Sequence, residues 1–285
     1  MRGTDPRVVL GLHRSRHERR LLTEALDLGV TALDTSSNYF GFRSHQVLAR
    51  AAGDLLPKFT VSTKVGYFPE PDGVEHSLDP VRLRAAVEQA AEDLGREPDL
   101  VFLHNPEHSL RGAAPHRQDT LVQACAALDA AMAKGLCAAW GVASWDPLQL
   151  LSLIDTTVPR PSCLMVRAGL LVGGRTLDAA DALTKAWGLG GSDVWGMSPF
   201  GGSTSAPVWA RIDPRVFLRD GSQLSRVQAA FRAAYLLPRV DSVAVGTDEP
   251  AHLGELVSAL AGEVEERTVQ EYRSLLRDRS RGQPA

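Results

Sequence analysis

Thr31-Ala-Leu-Asp34-Thr35, Val61-Ser-Thr-Lys64-Val65 and Leu100-Val-Phe-Leu-His104-Asn105 are three β-branched or apolar runs, each stopping at an ionisable residue. Each reads as a buried strand, because a parallel strand covered on both faces shows a nearly continuous apolar run. A further group, Tyr39, follows Asp34 in a loop opened by Ser36, Ser37 and Asn38. In a parallel α/β architecture the C-terminal strand ends share one face. Asp34, Tyr39, Lys64 and His104 are therefore expected to meet at one mouth.

Working outward, strand-like and helix-like segments alternate along the whole chain. The strands read as Val8–Leu12, Thr31–Asp34, Phe59–Val65, Asp99–His104, Cys137–Ser144, Ser162–Val166, Asp193–Ser198 and Asp241–Val245. Between them, Pro80–Gly95 and Thr120–Gly135 carry apolar residues at helical spacing and end on glycines suited to C-caps. Alternating β and α units imply parallel strands joined by right-handed crossovers. Eight such units predict a (β/α)8 TIM barrel, with Glu263–Arg279 as an extra C-terminal helix and a frayed Gly-Gln-Pro-Ala tail. A dinucleotide-binding open sheet would want G-x-G-x-x-G after its first strand, whereas His13-Arg-Ser-Arg-His follows here. The barrel is expected to form one domain over residues 1–285, opening directly on its first strand with no hairpin ahead of it. The long Ser198-to-Trp209 connection, rich in Gly, Ser and Pro, is expected to cover a ligand.

Composition excludes several classes. A formal net charge of -3 gives no electrostatic footing for nucleic acid, and Glu or Asp interrupts the Arg-rich stretches. No run is long and apolar enough for a membrane span. Cys125, Cys137 and Cys163 form no close pair, which argues against a disulfide framework or a zinc site and for a cytoplasmic protein. His13, His17, His45, His76, His108, His116 and His252 show no metal-ligand spacing and read as surface or loop residues, so no metal is expected. Asp193 and Asp241 open strands and belong to the stability face at the barrel bottom.

Taken singly, Asp34 reads as a turn residue, Lys64 as a strand end, His104 as a satisfied core histidine and Tyr39 as a loop aromatic. Taken together they form a proton-transfer set. Lysine stabilises a phenolate, a carboxylate behind it keeps it charged, and a histidine opposite donates to a carbonyl oxygen. Such a site suits a small-molecule carbonyl/alcohol pair.

Asp34-Thr-Ser-Ser-Asn-Tyr39-Phe-Gly, Ser62-Thr-Lys64-Val-Gly and Leu103-His104-Asn-Pro resemble the tetrad-bearing segments of the aldo-keto reductases, which are (β/α)8 barrels using NAD or NADP. Ala139-Trp-Gly-Val-Ala-Ser144 and Met197-Ser198-Pro-Phe-Gly are similar to the fifth and seventh strand ends of that family. The resemblance implies Tyr39 as general acid/base, Lys64 and Asp34 as its tuners, and His104 as the donor that orients substrate. It implies Ser144 on the nicotinamide carboxamide, and Ser198, Pro199, Phe200 and Gly201 on the pyrophosphate. Gly246, Thr247, Asp248 and Glu255 would form the adenosine end. Trp145, directly after a strand end, is the residue expected to stack near nicotinamide or substrate, while Trp195 and Trp209 read as core or pocket.

The chain departs from that pattern in places. Met165 stands where the family has a carboxamide-binding Gln, and Ala168 and Gly169 replace an aromatic–Asn pair. Trp145 replaces an Asn, and Leu256 another in the adenosine segment. Asp248 stands where NADP-preferring members often carry a base, which favours NAD. The Ser-Thr-Lys-Val-Gly strand with Asp248 resembles the sugar or aldose dehydrogenase branch. A reductase of a specialised metabolite is one alternative. The altered nicotinamide contacts motivate another, a regulatory barrel that binds without turnover. The sequence specifies neither substrate nor oligomeric state.

Overall fold

The computed structural model describes residues 7–111 and 116–281. Eight parallel strands close into a barrel: β1 (Arg7–Gly11), β2 (Ala32–Asp34), β3 (Thr60–Val65), β6 (Leu100–His104), β7 (Ala139–Ser144), β8 (Cys163–Arg167), β9 (Val194–Met197) and β10 (Ser242–Val245). The barrel seals where β1 pairs with β10, Val8 opposite Val243. Eight helices follow the strands in turn: α1 (Arg19–Asp27), α2 (Ser44–Ala52), α3 (Pro80–Leu94), α4 (Arg117–Ala133), the one-turn α5 (Leu148–Leu151), α6 (Gly174–Ala186), α7 (Arg226–Ala234) and α8 (Pro250–Ser258). A ninth, α9 (Glu266–Arg281), is the extra C-terminal helix. Every barrel strand lies within a residue or two of its expected place. The tail and the start of the chain ahead of β1 fall outside the described residues.

Helix boundaries follow local chemistry. The Asp79 carboxylate accepts from the amides of Val81 and Arg82 at the start of α3, and Gly95 ends that helix at φ 69°. Gly135 (φ 75°) lies one residue beyond the C-cap of α4, Lys134, so that helix stops sooner than expected.

Inside the barrel, Val9, Leu100, Phe102, Ala143, Cys163, Met165, Trp195 and Ala244 pack into a dry plug. Gly141 makes this possible. A Cβ there would sit 2.5 Å from the Cys163 carbonyl and 2.8 Å from the Phe102 ring. Trp195 is thus core, edge-on to Phe102 at 5.7 Å. The three cysteines are free and buried. The long connection after β9 holds Pro207–Ala210 and Pro214–Phe217 as 3-10 turns. Phe200, Trp209 and Phe217 of that connection pack with Leu177, Ala229 and Val269 against α6, α7 and α9.

Two features correct the sequence reading. Between β3 and α3 a two-stranded antiparallel hairpin is inserted, β4 (Tyr67–Glu70) with β5 (Gly73–His76). Its turn, Pro71-Asp72-Gly73, carries the Pro-Asp-Gly signature. In addition, His17 and His45 are buried, at 1% and 4% exposure. His17 Nε2 is bonded to Ser44 Oγ at 2.7 Å, and His45 Nε2 to Thr63 Oγ1 at 2.7 Å. Burial pushes His45 down to about 4 from an ordinary 6.5. A histidine depressed in the fold is harmless above about pH 6.5. Its contribution is lost as pH falls towards 4, reaching roughly 3 kcal/mol at full protonation. The melting temperature of the wild type should therefore fall more steeply from pH 7 to 4.5 than that of His45→Asn. Parallel curves would exclude this role.

Candidate active site

Parallel pairing aligns the strand ends. Gly11 faces Asp34, Asp34 faces Ser62, and Lys64 faces Phe102 one strand further on. Because side chains alternate, Asp34, Lys64 and His104 all point into the barrel just above the plug. The sequence-predicted set is brought together. Lys64 Nζ donates to Asp34 Oδ2 at 2.5 Å and to the Thr35 carbonyl at 2.8 Å, while Ser62 Oγ donates to Asp34 Oδ1 at 2.8 Å. Lys64 is 2% exposed. Its Nζ lies 5.1 Å from the centroid of the Tyr39 ring, and that ring stands edge-on to His104 at 6.3 Å.

The electrostatics follow from this enclosure. Burial presses the Lys64 ammonium towards neutrality, but the Asp34 carboxylate and Tyr39 outweigh it, and the pKa ends raised. For Tyr39 the order is reversed. Burial raises the phenol and dominates the lowering by Lys64, so the hydroxyl is a firmly protonated donor. Lys64 lowers the tyrosine, as the sequence reading has it, but burial outweighs that lowering and the net direction is upward. His104 falls well below 6.5, through burial first and the Lys64 cation second, and is neutral.

Several residues of the mouth were not legible as such. Tyr67 of the hairpin stands edge-on to His104 at 4.9 Å, accepts from Asn105 Nδ2 at 3.2 Å and bonds His108 Nδ1 at 2.9 Å. His76 Nε2 donates to the His104 carbonyl at 2.7 Å, and His13 lies against the Tyr39 ring at 4.8 Å. Glu107, fully buried, accepts from the amides of Trp145 and Asp146 at 2.7 and 2.9 Å and so holds the loop after β7. Among the described residues, the non-glycine positive-φ positions (Arg14, His17, Phe40, Phe42, Asn105 and Ser198) all lie in loops at this end of the barrel. Strain held in loops is commonly concentrated at functional faces.

The positions expected to hold a cofactor are partly rearranged. Ser144 Oγ is buried at the end of β7 without a hydrogen-bond partner, as a polar atom waiting for a ligand would be. Met165 lies down in the plug, fully buried, and does not reach the mouth. Arg167, two residues further along the same strand face, lies at the strand end instead, with its guanidinium 4.9 Å from the ring of the exposed Trp145. Ser198 is left-handed (φ 55°), and its carbonyl accepts from the Gly201 amide at 2.9 Å. Pro199 and Phe200 lie between them in this turn, with Phe200 against Trp209. Gly246 closes on the loop after β1, where a Cβ would stand 3.1 Å from the Gly11 carbonyl. Thr247 Oγ1 accepts from the Glu249 amide, and Glu255 is exposed on α8. Asp248 accepts from Ser15 Oγ at 2.9 Å and from the Arg16 amide at 3.1 Å. Arg16 Nε is shared between Glu18 and Asp248 at 3.2 and 3.4 Å. Among the described residues no three His, Cys, Asp or Glu side chains are grouped to hold a metal, and no helix is long and apolar enough to cross a membrane.

A parallel barrel thus holds a buried ammonium–carboxylate pair beside a tyrosine and a neutral histidine at its mouth. A model of the Aldo/keto reductase family matches residues 13–206, and the chain belongs to that family of NAD(P)-dependent oxidoreductases. Among solved structures it is similar to the holo form of aldo-keto reductase AKR11C1 from Bacillus halodurans (18% identity, 94% of this chain and 91% of that one, TM-score 0.73). It is also similar to an aldo-keto reductase from Klebsiella pneumoniae in complex with NADPH (16%, 95% and 91%, 0.70). Aldose reductase from Giardia lamblia is similar as well (16%, 96% and 92%, 0.68). At these identities the likeness is one of fold. No curated protein sequence matches the chain.

Proposed function

We propose that the chain interconverts a small-molecule carbonyl and its alcohol with NAD(H) or NADP(H), using Tyr39 as the general acid and base, within one barrel domain. The observation that carries this reading is the Lys64 ammonium, buried on Asp34 beside the Tyr39 ring and facing a neutral His104. When bound, the dinucleotide supplies or takes the hydride. The protein's part is proton transfer. As the carbonyl oxygen gains negative charge, the Tyr39 hydroxyl delivers its proton, and the phenolate left behind is stabilised by Lys64. Asp34 and the Thr35 carbonyl hold that ammonium in place. Neutral His104 orients the oxygen without competing as an acid.

The residues present fit a dinucleotide. Ser144 Oγ is an unsatisfied buried partner for a carboxamide, Trp145 offers an exposed ring, and Arg167 adds donors where Met165 has none. Ser198 to Gly201 offers a turn for the pyrophosphate. The sugar or aldose dehydrogenase branch is the preferred substrate class, ahead of a specialised metabolite, and a substrate panel separates them. A non-catalytic barrel is disfavoured by the intact ion pair and tyrosine.

NAD is expected to bind more tightly than NADP. A 2′-phosphate placed beside Asp248 meets a carboxylate, at a cost on the order of 1–4 kcal/mol for unit charges about 4 Å apart. Arg16, the nearby cation, is already held by Glu18 and Asp248. Fluorescence titration with NADH and NADPH tests both points, with roughly a tenfold or larger preference if the cost exceeds ~1.4 kcal/mol. Asp248→Arg should narrow or reverse it. Tighter NADPH binding by the wild type would defeat this preference. Binding of neither nucleotide would defeat the enzymatic reading itself.

A further inference from the structure

Arg167 ends β8 on the inward row and is half-buried. Its guanidinium rests on the exposed Trp145 ring, 4.9 Å from the centroid. That contact is a cation–π one and uses none of the N–H groups. Among the described residues those groups find no acceptor, since Arg167 makes neither a hydrogen bond nor an ion pair. Asp146, in the loop after β7, is near enough for its charge to be felt but forms no ion pair with it. Burial draws the Arg167 pKa down, because water is removed and no carboxylate replaces it. Around the reaction centre the other charges are cancelled or absent. Lys64 is held on Asp34, and burial lowers His13 and His104 below 6.5, which leaves them neutral at pH 7.

The position of this cation says what kind of anion it suits. β7 flanks β8 on one side and β9 on the other, with Ser144 opposite Val166 and Met197 opposite Arg167. Trp145 follows β7, so the guanidinium leans to that side, towards β6 and away from the Ser198–Gly201 turn that follows β9. It therefore faces the space beside His104 rather than the turn offered to a pyrophosphate. In the ring of eight strands β8 also stands four places from β2, across the barrel from Asp34 and from the loop that carries Tyr39. An anion on Arg167 and a carbonyl at Tyr39 accordingly belong to opposite ends of one molecule. One guanidinium with Asp146 nearby matches a single negative charge better than the nearly double charge of a phosphate monoester.

We infer that Arg167, stacked on Trp145, is a specificity-determining residue that binds a carboxylate at the end of the substrate remote from its carbonyl. The substrate class is a terminally carboxylated aldehyde, or a sugar acid among the aldoses, rather than a neutral sugar or an α-keto acid. The planar fork of a guanidinium pairs with a carboxylate through two parallel N–H···O bonds, which a neutral substrate end cannot reproduce. The inference rests on the carbonyl-binding reading above.

Matched substrates test it: adipate semialdehyde against hexanal, and glucuronate against glucose. The wild type should favour the carboxylated member by roughly 10–100-fold in kcat/KM, mainly through KM. Arg167→Gln should bring that ratio close to unity, while Arg167→Lys should keep part of it, because the charge remains without the fork. A ratio is untouched by any loss that both members share, so weaker nucleotide binding or partial misfolding does not imitate the result. Calorimetric titration gives a readout without turnover. With or without NADH, hexanoate should bind the wild type more tightly than hexanol, and Arg167→Gln should bind the two alike. A wild type that shows no preference for the carboxylate in either readout would overturn the inference. So would an Arg167→Gln variant that loses NADH affinity but keeps the wild-type ratio, since the guanidinium would then serve the nucleotide. If neither nucleotide binds, the enzymatic reading fails, while Arg167-dependent binding of hexanoate would still support the anion site.

Discussion

Tyr39→Phe is expected to lower the rate of the chemical step by about 10²–10⁴-fold while leaving NADH affinity nearly unchanged. The ring would still pack edge-on to His13 and His104, and the Lys64–Asp34 pair would be untouched. What disappears is one hydroxyl whose pKa is raised by burial, hence a donor that stays protonated throughout the neutral range. No neighbour replaces it well. His104 is neutral, Lys64 is committed to Asp34 and Thr35, and Tyr67 is itself raised by burial and bonded to Asn105 and His108. Single-turnover kinetics should be used, because they separate chemistry from nucleotide release. Activity above a tenth of wild type would remove Tyr39 from the mechanism.

What the sequence made legible follows from the physics of a closed parallel barrel. Strands buried on both faces must be apolar runs, so all eight stand out, and each active side chain sits where such a run stops. Asp34, Lys64 and His104 were readable for that reason. Contacts between residues far apart in the chain were not. Glu107 lies in what looks like an ordinary turn, yet it is buried because two amides from the loop after β7 converge on it. His17 and His45 look like surface residues because their partners, Ser44 and Thr63, come from elements brought near only by folding. The hairpin had a local signal in Pro71-Asp72-Gly73, but its strands are short and half polar, and periodicity alone passes over them. Met165 stands at a cofactor position only through the family resemblance. Alternation along β8 puts it in the same inward row as Arg167, and the residue nearer the strand end is the one that reaches the mouth.

Lys64→Met is expected to damage both activity and stability, and the two losses are separable. The substitution keeps the length of the side chain and removes its charge. Without the cation the phenolate of Tyr39 loses its main stabilising influence, and the tyrosine, already raised by burial, rises further. The rate should fall by at least about 10²-fold. In the fold, Asp34 would keep Ser62 Oγ as a donor but lose its counter-ion at 5% exposure, and breaking a buried pair from one side costs about 3–5 kcal/mol. The melting temperature should drop on the order of 10 °C. The sign against pH is also fixed. Lys64 has its pKa raised in the fold, so its contribution is complete below its unfolded value of about 10.5 and is lost as pH climbs through the folded one. Wild type should therefore lose stability in strong alkali, whereas Lys64→Met should show little of that loss. The double variant Asp34→Asn/Lys64→Met removes both charges while keeping an oxygen for Ser62. Stability should largely return, because no uncompensated charge remains buried, but the rate should not. A single variant as fast and as stable as wild type would make Lys64 a strand-end residue and nothing more. A double variant that recovered its rate along with its stability would show that the ammonium serves the fold rather than the phenolate.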